Sequence, residues 1–113
     1  MDDAAARQNV ARYRLTPAIA EARIKDLAQD SKHLKWSRHA LDRMNEREIF
    51  DVDVVRILRK GMICGEPEEN KSGEWKCKMT LRLRGTREAG VVLIILKKAG
   101  GLLIKTVEWE DLR

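Results

Sequence analysis

Apolar positions recur every three or four residues in the first half of the chain and every second residue after Met62. The first period is that of a helix with one buried stripe, the second that of a strand with one buried face. Ala6, Val10 and Tyr13 predict a helix from about residue 3 to 14. Thr16 followed by Pro17 is a helix start, because Thr caps free N–H groups and Pro tolerates the first helical position. Ala20, Ile24 and Leu27 give this second helix its stripe, which should run to about Asp30. These two helices could cover the domain, swing free or contact a partner. His33–Trp36 reads as a short strand or extended lead-in. Ser37 is the next cap, with Ala40, Leu41 and Met44 on the buried face behind it. Asp51 is read as the cap of a fourth helix, with Val54, Val55 and Leu58 inward and Gly61 as its left-handed C-cap. Arg56, Arg59 and Lys60 in its last turn suit the negative end of the helix dipole.

In the second half, Met62–Gly65 predicts a strand and Glu66–Gly73 a polar turn. Trp75, Cys77, Met79, Leu81 and Leu83 alternate with Lys76, Lys78, Thr80, Arg82 and Arg84. One face of this strand is apolar and the other almost wholly basic. Arg84–Gly90 reads as a turn region, Val91–Leu96 as a central strand, Lys97–Gly101 as a hairpin loop and Leu102–Trp109 as the last strand. The expected fold is α+β: N-terminal helices, then an antiparallel sheet of about four strands, with helices on one side. The division expected is an N-terminal helical extension over 1–32 and a core over 33–113.

At 113 residues this is one domain. No run of about 18 apolar residues predicts a membrane span, and the acidic Met1-Asp2-Asp3 start is unlike a secretory signal. Two cysteines, Cys64 and Cys77, are too few for a disulfide framework and read as reduced core thiols. A cytoplasmic location is therefore expected. The formal charge of +5 points weakly to nucleic acid, and its uneven distribution more strongly. Residues 71 to 87 carry Lys71, Lys76, Lys78, Arg82, Arg84 and Arg87 against Glu74 alone. Phosphate or an acidic protein would fit such a face, as would simple solubility.

His39, Arg43 and Arg47 recur at i, i+4 and i+8, which lines them along one helix face. Metal-independent RNA cleavage needs an acid and a base near neutrality, and cations on the phosphorane. Histidine suits the first two roles and arginine the third. The same residues also read as a solvated face, with the arginines paired to Asp42, Glu46, Glu48 or Asp51. Lys105-Thr106-Val107-Glu108-Trp109-Glu110 could place a hydroxyl and a ring at a site edge, though packing explains Trp109 better. No zinc-ligand spacing, phosphate loop or nucleophile elbow occurs, and no cofactor is implied.

The string Ser37-Arg38-His39-Ala40-Leu41-Asp42-Arg43-Met44-Asn45-Glu46-Arg47-Glu48-Ile49 resembles the signature of the domain of unknown function 4258 family. Val54-Val55, Leu58 and Gly61, and Ile104, Thr106 and Val107, fit it as well. The resemblance covers about residues 33 to 110 and extends to the RelE-like toxin superfamily, in the style of the BrnT toxins. It implies a compact RelE-like α+β fold and a toxin-like endoribonuclease restrained by a cognate antitoxin. His39 would be the acid or base, with Arg43, Arg47, Arg82 and Arg84 clamping the scissile phosphate and Lys76 and Lys78 guiding RNA. The last strand lacks the tyrosine or histidine that RelE-like ribonucleases often use. The alternative is a non-enzymatic module for nucleic acid or an acidic protein, with a structural His39. A third reading gives the N-terminal helices to self-association.

Overall fold

A computed structural model describes residues 14–98 and 100–111. The helix expected over 3–14 falls outside them, apart from Arg14. Helix α1 spans Pro17–Leu27, capped by Thr16 Oγ1, which accepts from the Ile19 N–H at 3.3 Å. One 3₁₀ turn, Ser31–His33, leads to β1, Leu34–Trp36. Helix α2 spans Arg38–Arg47 and α3 spans Asp51–Lys60. Five strands follow: β2 Met62–Ile63, β3 Glu68–Glu69, β4 Trp75–Leu83, β5 Arg87–Ile95 and β6 Leu102–Trp109.

The sheet has six strands in the order β1-β6-β5-β4-β2, with β3 also paired to β4. About four were expected. The extra pieces are two or three residues long, too short to show a period. All pairings are antiparallel except β1 with β6, which is parallel, with Trp36 beside Ile104. Residues 84–90 were read as a turn region, but β5 begins at Arg87 and pairs with β4 from Leu83 onward.

Helices and sheet share one apolar cluster. Cys77, Met79, Val91, Leu93, Ile104, Val107 and Trp109 meet Ala20, Ile24, Ala40, Met44, Val54, Ile57 and Leu58. The helices therefore lie on one sheet face. Leu41, expected inward, is 46% exposed. Ile57 takes an inward place that the expected stripe of α3 omitted, and Val55 is only half-buried.

Three local devices differ from the expected ones. The N-cap of α3 is Phe50, not Asp51; the Asp53 carboxylate accepts from the Phe50 N–H at 2.9 Å. Gly61 is not left-handed, at φ −80°. It is small because a Cβ there would lie 2.4 Å from the Thr80 carbonyl oxygen. The left-handed cap is Glu48, at φ 54°, which ends α2 and turns Ile49 into the core.

Strand β6 contains a bulge. Val92 pairs with Thr106 but Leu93 with Ile104, leaving Lys105 extra. The bulge shifts the buried phase, so Leu102 and Ile104 face the core before it and Val107 and Trp109 after it.

Helix α1 packs on the same core. Leu15, Ala20, Ile24 and Ala28 are buried in the same cluster, and Glu21 Oε1 accepts from the Ile63 N–H at 2.8 Å. Ile24→Ala should cost about 2–5 kcal/mol, the usual range for a buried Ile truncated to Ala. Urea denaturation measures it; a loss well under 1 kcal/mol would mean that α1 packs only loosely.

Candidate functional site

Helix α2 carries the first candidate residues, and its main work is to hold onto β6. At its start, Ser37 Oγ accepts from the Ala40 N–H at 3.0 Å and donates to the bulged Lys105 carbonyl at 3.2 Å. The Ser37 N–H donates to the Ile104 carbonyl at 3.1 Å. At its end, Arg47 Nη1 donates to the Val107 carbonyl at 2.6 Å, and Trp109 Nε1 donates to the Arg47 carbonyl at 2.8 Å. Arg47 is thus engaged in docking the helix. Arg43 pairs with Glu46 at 2.6 Å, within its own helix. His39 is exposed and makes no hydrogen bond or ion pair with the described residues.

The strand candidates lie elsewhere. Lys76, Lys78 and Arg82 alternate with the core residues Cys77, Met79 and Leu83, so they project from the sheet face that the helices leave open. That face is not the basic surface expected from β4 alone. Lys78 Nζ lies 2.7 Å from Glu108 and 2.8 Å from Glu110. Lys76 Nζ lies 3.6 Å from Glu68, and Arg82 stands opposite Glu88 in the β4–β5 register. The neutralising acids come from other parts of the sheet: Glu68 from β3, Glu88 from β5, and Glu108 and Glu110 from β6 and its end, beyond β5. Gly90 makes the Lys78 cluster possible: a Cβ there would stand 2.5 Å from Glu110 Oε2.

Within this cluster Lys78 and Glu108 shift each other. The Lys78 hydrogen bond holds the Glu108 carboxyl below its ordinary value, against the opposing effect of burial. Burial by itself would lower the Lys78 amine, but hydrogen bonds to Glu108 and Glu110 outweigh it and raise the amine.

Arg84 departs from its strand neighbours. It bends toward α3, with Nη2 2.6 Å from Asp53 and Nη1 3.4 Å from the Glu48 carbonyl. Its guanidinium carbon is 5.3 Å from the Phe50 ring centre, and that of Arg87 is 4.0 Å from the Trp109 ring centre. Arg47 and Arg84 therefore meet, beside Arg87, Phe50 and Trp109, around a hollow of about 280 Å³. His39, Arg43, Lys76, Lys78 and Arg82 do not line it. The seven expected site residues form no single centre. Trp109 is buried, as its packing role requires. Cys64 is exposed, contrary to the core-thiol reading; its N–H pairs with the Lys78 carbonyl, one place out of line with Cys77. Cys77 is buried, which pushes its thiol up to about 11.

A larger hollow was missed by sequence reasoning. It measures about 520 Å³ and is lined by Trp36 of β1 and by Val52, Val55, Arg56, Arg59 and Lys60 of α3, among others. The available signal was a second stripe on α3. Val54, Ile57 and Leu58 face the core, while Val52, Val55, Arg56 and Arg59 repeat at helical spacing beside them. Arg59 donates to the Ala28 carbonyl at 2.8 Å and the Gln29 carbonyl at 3.2 Å, so it is fixed but not neutralised. Among the described residues, no carboxylate lies within ion-pair distance of Arg56, Arg59 or Lys60.

The chain belongs to the family described as Domain of unknown function (DUF4258), whose model matches residues 36–109. No curated protein and no solved structure matches it. The matched span begins at Trp36 and ends at Trp109, so it takes in both sides of the α2–β6 docking but not α1. No helix among the described residues is long and apolar enough to cross a membrane.

The Lys78 cluster sets a pH dependence. A carboxyl lowered in the folded state contributes stability that is complete above its ordinary value of 4.5 and is lost as pH falls through the lowered one. In Lys78→Met, Glu108 loses the hydrogen bond that holds its carboxyl low, so less stability remains to be lost in acid. The gap in Tm between wild type and Lys78→Met should be widest near neutrality and narrow below about pH 4.5. A gap that stays constant across thermal melts from neutral to acid pH would refute the coupling.

Proposed function

We propose that this member of the family is a non-enzymatic nucleic-acid-binding module, and that its contact surface is the groove between α3 and Trp36. One observation carries the reading: Arg56, Arg59 and Lys60 stand together beside an indole, without carboxylate partners among the described residues. Cations already paired gain little from a phosphate, because each new bond must replace an existing one. Unpaired cations gain fully, through counterion release. Lys78 and Arg84, first candidates from the strand pattern, are paired with carboxylates, whereas among the described residues the three cations of α3 have no carboxylate partner, Arg59 being held by backbone carbonyls only.

The likeness of the family to RelE- and BrnT-like toxins supports RNA as the polyanion. It supports cleavage less well. General acid–base chemistry needs a held base, a phosphate clamp and a shared reacting position. His39 has no orienting partner among the described residues, Arg47 is engaged by Val107, and Arg82 projects from the opposite sheet face. Binding with a structural scaffold accounts for these positions more simply than a nuclease restrained by an antitoxin.

Arg56→Ala combined with Lys60→Ala should weaken RNA binding and flatten its salt dependence. The slope of log K against log salt should fall by about 0.7 for each single-strand phosphate that the variant no longer neutralises. Both residues are exposed, so the fold should be unaffected. Unchanged affinity and slope in fluorescence anisotropy would remove α3 from the interface. RNA incubated with wild type in EDTA should stay intact. Cleavage that disappears in His39→Ala at equal fold stability would restore the endoribonuclease reading.

A further inference from the structure

We infer that the α3–Trp36 groove admits one unpaired nucleobase, so that the protein selects single-stranded over duplex RNA. This rests on the nucleic-acid reading above and names the form of nucleic acid taken.

The groove has two unlike ends. Trp36, Val52 and Val55 supply apolar surface, and Val52 is 69% exposed, an uncovered β-branched residue on a helix. Arg56 and Lys60 lie one to two turns further along α3 and supply charge. A nucleotide has the same polarity, with a flat apolar base at one end and a phosphate at the other. A base in a duplex is stacked on both faces and paired along its edge, so it cannot enter a concave site. An unpaired base can enter and gain the stacking that aromatic platforms provide.

The remaining lining supports a base over an acidic peptide. Asp51 stands at the apolar end. Its Oδ1 accepts from the Val52 N–H at 2.8 Å, and its charge opposes a glutamate or aspartate side chain there. An exocyclic amine or a ribose hydroxyl is a donor and suits that carboxylate. The volume, about 520 Å³, lies within the usual range of small-ligand pockets and suits one nucleotide.

The test uses the full chain with three probes: a short oligoadenylate, an RNA duplex of the same length, and poly-glutamate. Wild type should bind the oligoadenylate at least about tenfold more tightly than the duplex, the scale of one stacked base. Trp36→Leu should abolish that preference while keeping salt-dependent binding to both RNAs, and Trp36→Phe should retain most of it. Trp36 packs partly on the core, so Val52→Asp provides a second variant; Val52 is largely exposed, and the added charge should remove the preference without loss of fold. Equal binding of single strand and duplex, unchanged in Trp36→Leu and Val52→Asp, overturns the base pocket and leaves nucleic-acid binding standing. Binding of poly-glutamate with neither RNA bound overturns both and makes the groove a protein-docking surface.

Discussion

The docking of α2 across β6 is the constraint on which the rest of the structure depends. Ser37 and Lys105 are joined at one end, Arg47, Val107 and Trp109 at the other, across more than half the chain. These bonds close a long loop, whose entropy must be offset by what it brings together. The return is large. With α2 fixed, Ala40 and Met44 join Val107 and Trp109 in one core, and β1, immediately before Ser37, is held parallel to β6. Trp36 is then set at the sheet edge. Helix α3, three residues beyond α2, lies where Val52 and Arg56 share a hollow with that indole. The bulge at Lys105 belongs to the same device. It frees a carbonyl for Ser37 and moves Val107 and Trp109 into the core phase.

Where a single segment held enough residues to show its period, the sequence was legible. The cap and stripe of α1 and the bounds of β6 agree with the structure. So do the cap at Ser37 and the alternation of β4. Features set by a partner segment were not legible. Gly61 reads as a helix C-cap from its position, yet its size is dictated by the Thr80 carbonyl across the sheet. β3, within the stretch expected as a polar turn, exists because β4 offers it a ladder, not because two residues have a pattern, whereas β2 lies within the strand expected over Met62–Gly65. A bulge leaves alternation intact on either side of a phase change, and Leu102–Trp109 conceals it for that reason.

Charge followed the same rule. Along β4 the cations stand almost alone, but three other strands of the sheet each add an acid. Glu68 comes from β3, Glu88 from β5 and Glu108 from β6. Pairs as exposed as Lys76 with Glu68 contribute little to stability, about 0–1 kcal/mol. Their larger effect is to cancel the local field. The candidate site was therefore only partly legible. His39, Arg43 and Arg47 share a helix face as read, but what Arg47 touches lies sixty residues away. The unpaired cations of α3 were visible as a helix-end charge cluster, and only the approach of β1 turns them into a lined groove.

The Ser37–Ile49 motif is first a folding motif. Ser37 caps α2 and joins it to β6, Ala40 and Met44 fill the core, Arg47 grips the Val107 carbonyl, and Ile49 is buried past the left-handed turn at Glu48. Each of these positions has a local physical reason, and none needs a substrate to explain it. His39 and Arg43 differ. His39 contributes nothing to the docking, and the bond from Arg43 to Glu46, three residues along an exposed helix, is worth only about a few tenths of a kcal/mol. His39 and Arg43 are therefore motif positions that holding the sheet leaves unexplained. They stand outside both the Trp109 hollow and the α3 groove. The α3 groove and the surplus polar groups of α2 are thus separate features, which one substitution on each helix can tell apart.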